Sequence, residues 1–319
     1  MRRSIFISAS SMLFAAAFAG LSIMQAQQSE PVKSVPTRMT VTLRVQDSDK
    51  KTPDVNRDDV IVKQGKVPLQ VIRWTPAIGA SAGLDLFILL DDASDPVLGS
   101  HDEDLRAFII ALPDSSSVGV GYMRNATVQI VQDLTTDHAV AARTLRLPLA
   151  SSGAYGNPYL SLIDLIKRWP EDGKRREIVM ITDGIDRFRG ESHYRGLSFI
   201  SPDVDSASRI AQRTGTVIDT IFTRGVGRRA RNYWEITNGQ NAIAKLSDET
   251  GGESYSLGTQ NSVGFSPYLD DVQRALRNQY LLEFRAIPAK RSGLQSIDLK
   301  SQIAGLELDS ADSVWVPGR

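Results

Sequence analysis

Between Gly83 and Asn278 the chain alternates short apolar runs with helical patterns, and this alternation restricts the fold more than any other feature. The runs LDLFILLD, SVGVGYMR, TVQIVQD, REIVMITD, TVIDTIF and a weaker ESYSL have the length and composition of strands. Helix punctuation lies between them. Ser100 and Glu103 stand at capping-box spacing ahead of Leu105, Phe108, Ile109 and Leu112, which share one helical face. Asn157-Pro158, Ser201-Pro202 and Ser266-Pro267 each place a capping side chain before a proline suited to the first turn, and Gly215 and Gly251 fall where two helices should stop. Such an order predicts a Rossmann-like, doubly wound, mostly parallel sheet covered on both faces, with sites outside the carboxyl ends of its strands.

The flanks have another rhythm. From Met39 to Trp74, and again in QYLLEFRAI, LQSIDLKS and SVWVPG, apolar and polar residues alternate with period two between turn-forming residues, as in short antiparallel strands. Neither flank has enough strands for a stable sheet alone. We expect one small antiparallel β-sandwich built from residues 38–79 and 279–317, with the α/β domain of residues 83–278 inserted into it. GASAG, residues 79–83, matches a serine-hydrolase string but precedes a strand instead of following one, so it is read as a link.

The first residues, MRRSIFISASSMLFAAAFAGLSIMQAQ, combine two arginines, an apolar stretch from Ile5 to Ile23 and small residues at Ala19 and Ala26, the pattern of a secretory signal peptide over residues 1–26. Residues 27–37 read as a polar, proline-broken tether. An exported protein, periplasmic or secreted, with no membrane span in its mature form is the expectation. The chain has no cysteine, which rules out disulfides, thiolate metal sites and thiol nucleophiles. With 37 basic against 37 acidic residues, bulk charge points to no nucleic-acid partner.

Two of the apolar runs end in aspartate, at Asp91 and Asp183, and the first continues as Asp91-Asp92-Ala93-Ser94-Asp95. If their strands are neighbours, the carboxylates converge and need a cation, a proton or hydrogen bonds. Oxygen ligands without cysteine or histidine suit magnesium or calcium. This arrangement resembles the von Willebrand factor type A domain, whose metal-ion-dependent adhesion site uses Asp-x-Ser-x-Ser, a threonine from a later loop and a further aspartate. The segment from about residue 38 to 317 is similar to the acidobacterial VWFA-related family of exported proteins, through VTLRVQD, DVIVKQGKVPLQVIRW and NQYLLEF. The resemblance implies a metal at Asp91, Asp95, Asn157 and Asp183. Ala93 and Asp95 stand where the family has its serines and Asn157 where it has threonine, so the site is degenerate: Ala93 offers no oxygen, and Asp95 adds a charge that would weaken an ion's pull on an acidic partner. As alternatives, Asn157 is explained as a helix cap and Thr182-Asp183-Gly184 as a turn.

Other features point toward a partner protein. Gly225-Val226-Gly227-Arg228 has a loose dinucleotide pattern on a late strand, but no acidic residue is placed for a ribose. The arginines Arg224, Arg228, Arg229 and Arg231 beside Tyr233 and Trp234 form a loop suited to an acidic protein partner, and Tyr194 in FRGESHYRGLSF adds to the same rim. His101, His138 and His193 lack metal-ligand spacing and are expected at the surface or at caps. The resulting expectation is a non-enzymatic, adhesion-like protein-interaction module, with a metal-independent cell-envelope scaffold or assembly factor as the alternative. A metal-dependent hydrolase would need a general base, and none is evident.

Overall fold

The computed structural model describes residues 34–46, 52–170, 172–188, 200–256 and 264–319. The signal-peptide pattern and residues 27–33 of the expected tether lie outside them. No described helix is long and apolar enough to cross a membrane.

The α/β part is doubly wound, as its alternation predicts. Its six-stranded sheet runs in the order Ser254–Tyr255, Thr216–Phe222, Arg175–Thr182, Leu84–Asp91, Ser116–Arg124, Thr127–Thr135. Every neighbouring pair is parallel except the last, which is a hairpin turned at Asn125-Ala126, both with positive φ. Period-two alternation in the central strand splits the core between two faces. Leu84, Leu86, Ile88 and Leu90 pack with Leu105, Phe108 and Ile109 of the helix Asp102–Ile110 and with Leu269 and Val272 of the helix Ser266–Arg277. Phe87 and Leu89 face Tyr159 and Leu162 of the helix Pro158–Arg168, Val204 of Pro202–Thr214 and Ile243 of Tyr233–Thr250. Side chains on a strand point alternately to opposite faces, so an uninterrupted apolar run is what a strand buried on both sides requires.

Helix ends follow the sequence signals in part. Asn157 and Ser201 cap their helices, and Gly215 and Gly251 end theirs with φ of 67° and 81°. Two starts differ. The first helix begins at Asp102 with His101 as an N-cap that makes no side-chain bond, after a 3₁₀ turn over Pro96–His101. The last begins at Ser266, so this residue lies inside the helix, and Asp104 Oδ2 from the neighbouring helix accepts from the amides of Phe265 and Ser266 at 2.9 and 3.2 Å. His101 and His138 are buried, the former against Phe265 and the latter with Nε2 3.0 Å from the Ser116 carbonyl.

The two flanks meet in antiparallel sheets. Val35–Val45 pairs with Gln279–Ala286 along its length, Val35 opposite Ala286 and Thr42 opposite Gln279. Leu306–Ser310 and Val71–Pro76 complete that four-stranded sheet, while Val60–Gln64 pairs with Asp298–Ser301 and Gly293–Ser296 with Ser313–Val316. Val41, Leu43, Val62, Leu282, Phe284 and Val316 belong to a core common to these sheets. The first strand starts at Val35, inside the stretch expected as tether. Pro36 is tolerated there because the strand on its other side pairs only from Val41 onward, so the missing N–H disrupts no ladder.

Gln279, 1% exposed, joins the two parts. Its Nε2 donates to both carboxylate oxygens of Glu177 at 3.1 and 3.2 Å, its Oε1 accepts from Arg175 Nη1, and Arg175 Nη2 donates to the Ala82 carbonyl at 3.0 Å. Burial, with the charge of Asp219 adding to it and Arg175 opposing, pushes the Glu177 carboxyl from 4.5 up to about 8. The folded chain thus holds a proton that the unfolded chain releases between about pH 4.5 and 8, so this residue's contribution to stability falls as pH rises through that window. In thermal unfolding across the window, Tm of Glu177→Gln should fall less with pH than that of the wild type and exceed it at the alkaline end. Parallel curves would contradict a raised Glu177.

Candidate functional site

The strands Leu84–Asp91 and Arg175–Thr182 are adjacent and parallel, with Leu90 opposite Ile181. Their ends therefore place Asp91 level with Thr182, and Asp183 follows on the same rim. Both aspartates are buried, Asp91 at 4% and Asp183 at 1% exposure. The convergence expected from the sequence is present, and the question becomes what neutralises it.

Asp91 is satisfied by the protein itself. Its Oδ1 accepts from the Ala93 amide at 2.8 Å and its Oδ2 from the Thr182 hydroxyl at 2.7 Å. Burial, reinforced by the charge of Asp183 and opposed by Arg187, pushes its carboxyl from 3.8 up to about 6. Asp183 has a different partner. Arg187, four residues on, grips it with both terminal nitrogens: Nη1 donates to Oδ1 at 3.0 Å and Nη2 pairs with Oδ2. The Ile185 amide adds a third bond to Oδ1 at 3.0 Å. Burial alone would depress the Arg187 guanidinium, but Asp183 outweighs it and the pKa rises. The Arg187 amide also donates to the Gly156 carbonyl at 2.8 Å, fastening this loop to the one that carries Asn157.

Gly225 closes over the ion pair. A Cβ at this position would lie 1.8 Å from Asp183 Oδ2 and 2.5 Å from Arg187 Nη2, so no side chain fits. Its segment is zipped to the first loop by a Ser94–Gly225 bridge, by the Asp95 amide on the Arg224 carbonyl at 2.8 Å and by the Val226 amide on the Ala93 carbonyl at 2.8 Å. Asp92, fully buried, forms a separate pair with Arg146 at 2.7 and 3.0 Å and also accepts from the Leu149 amide at 3.2 Å. Arg146 stacks on the Tyr122 ring at 3.6 Å.

Asn157 is engaged at both ends of its amide. Its Oδ1 accepts from the Tyr159 and Leu160 amides, each at 3.0 Å, and its Nδ2 donates to Asp203 at 2.8 Å. The side-chain oxygen assigned to a metal by the family resemblance is thus a helix cap, and Asp95 is half-buried at the outer end of its loop. A hard divalent ion asks for six or more oxygens. Here Ala93 supplies none, Asn157 is spent inward, and a guanidinium covers both oxygens of Asp183. Among the described residues no three acidic or histidine side chains stand close enough to share an ion. The space enclosed by Asp91, Arg124, Ser152, Asn157 and Arg187 is about 10 Å³, no more than a single water needs. The residues present do not fit the ion that the resemblance implies.

Outward, the rim is basic and aromatic. Arg228 and Arg231 are exposed, and Arg229 donates to the Asp186 carbonyl at 2.9 Å. Asn232 caps the helix Tyr233–Thr250, accepting from the Trp234 and Glu235 amides, and so presents Tyr233 and Trp234 in its first turn, 62% and 63% exposed and edge-to-face at 5.6 Å. A second exposed pair, Tyr155 and Phe188, meets edge-to-face at 5.5 Å. Tyr194 lies outside the described residues. The sequence points to the segment from Arg187 onward, including Phe188, as a rim loop, but not to the pairing of Arg187 with Asp183, nor to Arg146 or Tyr155. The spacing Asp183-x-x-x-Arg187 was the one available signal, and it is masked by the absence of a helix there.

Comparison with known proteins returns no matching family model and no matching curated protein. Solved structures do match. They include an aerotolerance-related membrane protein from Bacteroides fragilis, 13% identical, covering 61% of this chain and 98% of that one with a TM-score of 0.43. BatB from Bacteroides thetaiotaomicron is 17% identical over 60% and 97% of the two chains, TM-score 0.41. A von Willebrand factor type A protein from Catenulispora acidiphila is 10% identical over 81% and 73%, TM-score 0.42.

If Asn157 is a cap and a brace for Asp203, Asn157→Ala should lower unfolding free energy by about 1–2 kcal/mol, and Asn157→Ser, which keeps an acceptor, by less than half of that. Denaturant titration of the variants checks it. An unaltered midpoint for Asn157→Ala would leave the side chain without this role.

Proposed function

We propose that the chain is an exported, non-catalytic protein-interaction module of von Willebrand type A character, which meets an acidic partner with the outer rim of its α/β domain. The observation that carries this reading is the direction of the charges. The carboxylates of Asp91, Asp92, Asp183 and Asp203 are buried and bonded within the rim, while Arg228 and Arg231 and the pairs Tyr233–Trp234 and Tyr155–Phe188 face outward. Arginine and aromatic side chains are enriched at protein interfaces, where planar groups bury large areas at little entropic cost. Export is supported by the N-terminal arginines followed by an apolar stretch and small residues. The non-catalytic reading rests on the inward use of Asp91, Asp92, Asp183 and Asp203 among the described residues, whose oxygens are engaged by the chain itself.

Photo-crosslinking residues placed at Trp234 and Phe188, with Ile110 as an exposed control on another part of the domain, test the reading in the native cell envelope. Rim positions should capture a specific protein and the control should not. In binding measurements with that protein, Arg228→Glu with Arg231→Glu should weaken association at least about tenfold, or about 1.4 kcal/mol, and added salt should weaken the wild type in the same direction. Equal capture from all three positions, or charge reversal without effect, would contradict a docking role for this rim.

A further inference from the structure

We infer that Arg187 is the resident cation of this rim: its guanidinium stands among Asp91, Asp183 and Asn157 where a divalent ion would otherwise be needed, and it makes the site independent of metal. The inference does not depend on the partner proposed above. Two carboxylates brought together at adjacent strand ends, each almost wholly buried, need a positive charge, a proton or hydrogen bonds. Asp91 takes hydrogen bonds, and Asp183 takes the charge.

Three further features fit a permanent occupant better than a side chain that swings aside for an ion. The contact is bidentate and complemented by the Ile185 amide, so every strong direction around Asp183 Oδ1 is used. The backbone of Arg187 is tied to the Gly156 carbonyl, and its Nη1 also donates to the Ile185 carbonyl at 3.2 Å. Gly225 seals the outer side, at a distance that admits no added atom. Only 12% of the Arg187 side chain is exposed, so displacing it would strip a buried guanidinium of its partner before any ion could bind.

The same geometry implies a latent site. Shortening Arg187 leaves Asp91 and Asp183 facing a new space that joins the small existing one, with the guanidinium that pairs with Asp183 gone. A divalent ion or a proton is then the remaining remedy.

Calorimetric titration with manganese, magnesium and calcium, together with thermal unfolding in the presence and absence of chelator, tests both statements on the full mature chain. The wild type should give no binding heat at millimolar ion and the same Tm with and without chelator. Arg187→Ala should have a lower Tm that millimolar manganese raises. Asp183→Asn combined with Arg187→Ala, which removes both charges, should be more stable than Arg187→Ala and insensitive to manganese. Should Arg187→Ala fail to fold, the wild type and the double variant decide. Metal binding by the wild type, metal stabilisation of the double variant, or a folded Arg187→Ala as stable as the wild type would each overturn the inference.

Discussion

Everything at the rim follows from burying negative charge at the carboxyl ends of two adjacent parallel strands. Taking an isolated carboxylate out of water costs several kcal/mol, and a buried site persists only when that cost is offset by close, well-aligned partners. Here the partners come from the chain itself. Arg187 and Arg146 hold Asp183 and Asp92, Thr182 and the Ala93 amide hold Asp91, and Asn157 holds Asp203. Each bond also fixes a loop, so neutralising the charge and ordering the rim are one event.

That ordered rim depends in turn on a rigid sheet beneath it. The central strand is buried along its whole length, and the polar groups near the opposite end of the sheet, Glu177, Arg175 and Gln279, tie it to the antiparallel sheets formed by the flanks. Arg44 extends the junction by pairing with both Glu253 of the α/β part and Asp309 of the flank. At these two clusters the contacts between the parts are polar and bonded, unlike the apolar cores on either side.

The sequence made the fold legible where physics is periodic or local. Alternating runs identified the central strands, and the meeting of Asp91 and Asp183 followed from strand order alone. Proline-preceding Asn157 and Ser201 identified caps because a cap is settled within three residues. What the sequence leaves unmarked is either distant along the chain or set in irregular backbone. Asp104 caps a helix more than a hundred positions away, and Arg146 reaches Asp92 across fifty-four, so no local pattern marks either. Arg187 is only four residues from its partner, but it lies in an irregular loop where spacing carries no meaning until the backbone is known. Of the two readings that the sequence offers for Asn157, the structure shows the local one, a cap, which engages the oxygen that the family resemblance would hand to a metal.

The central claim is that an internal guanidinium, bonded to a buried carboxylate, holds the rim together. A double-mutant cycle over Asp183→Asn and Arg187→Met, followed by reversible denaturant unfolding, measures that coupling directly. A coupling energy of about 1–3 kcal/mol is expected for a buried, bidentate pair. Additive single effects, with coupling near zero, would contradict it.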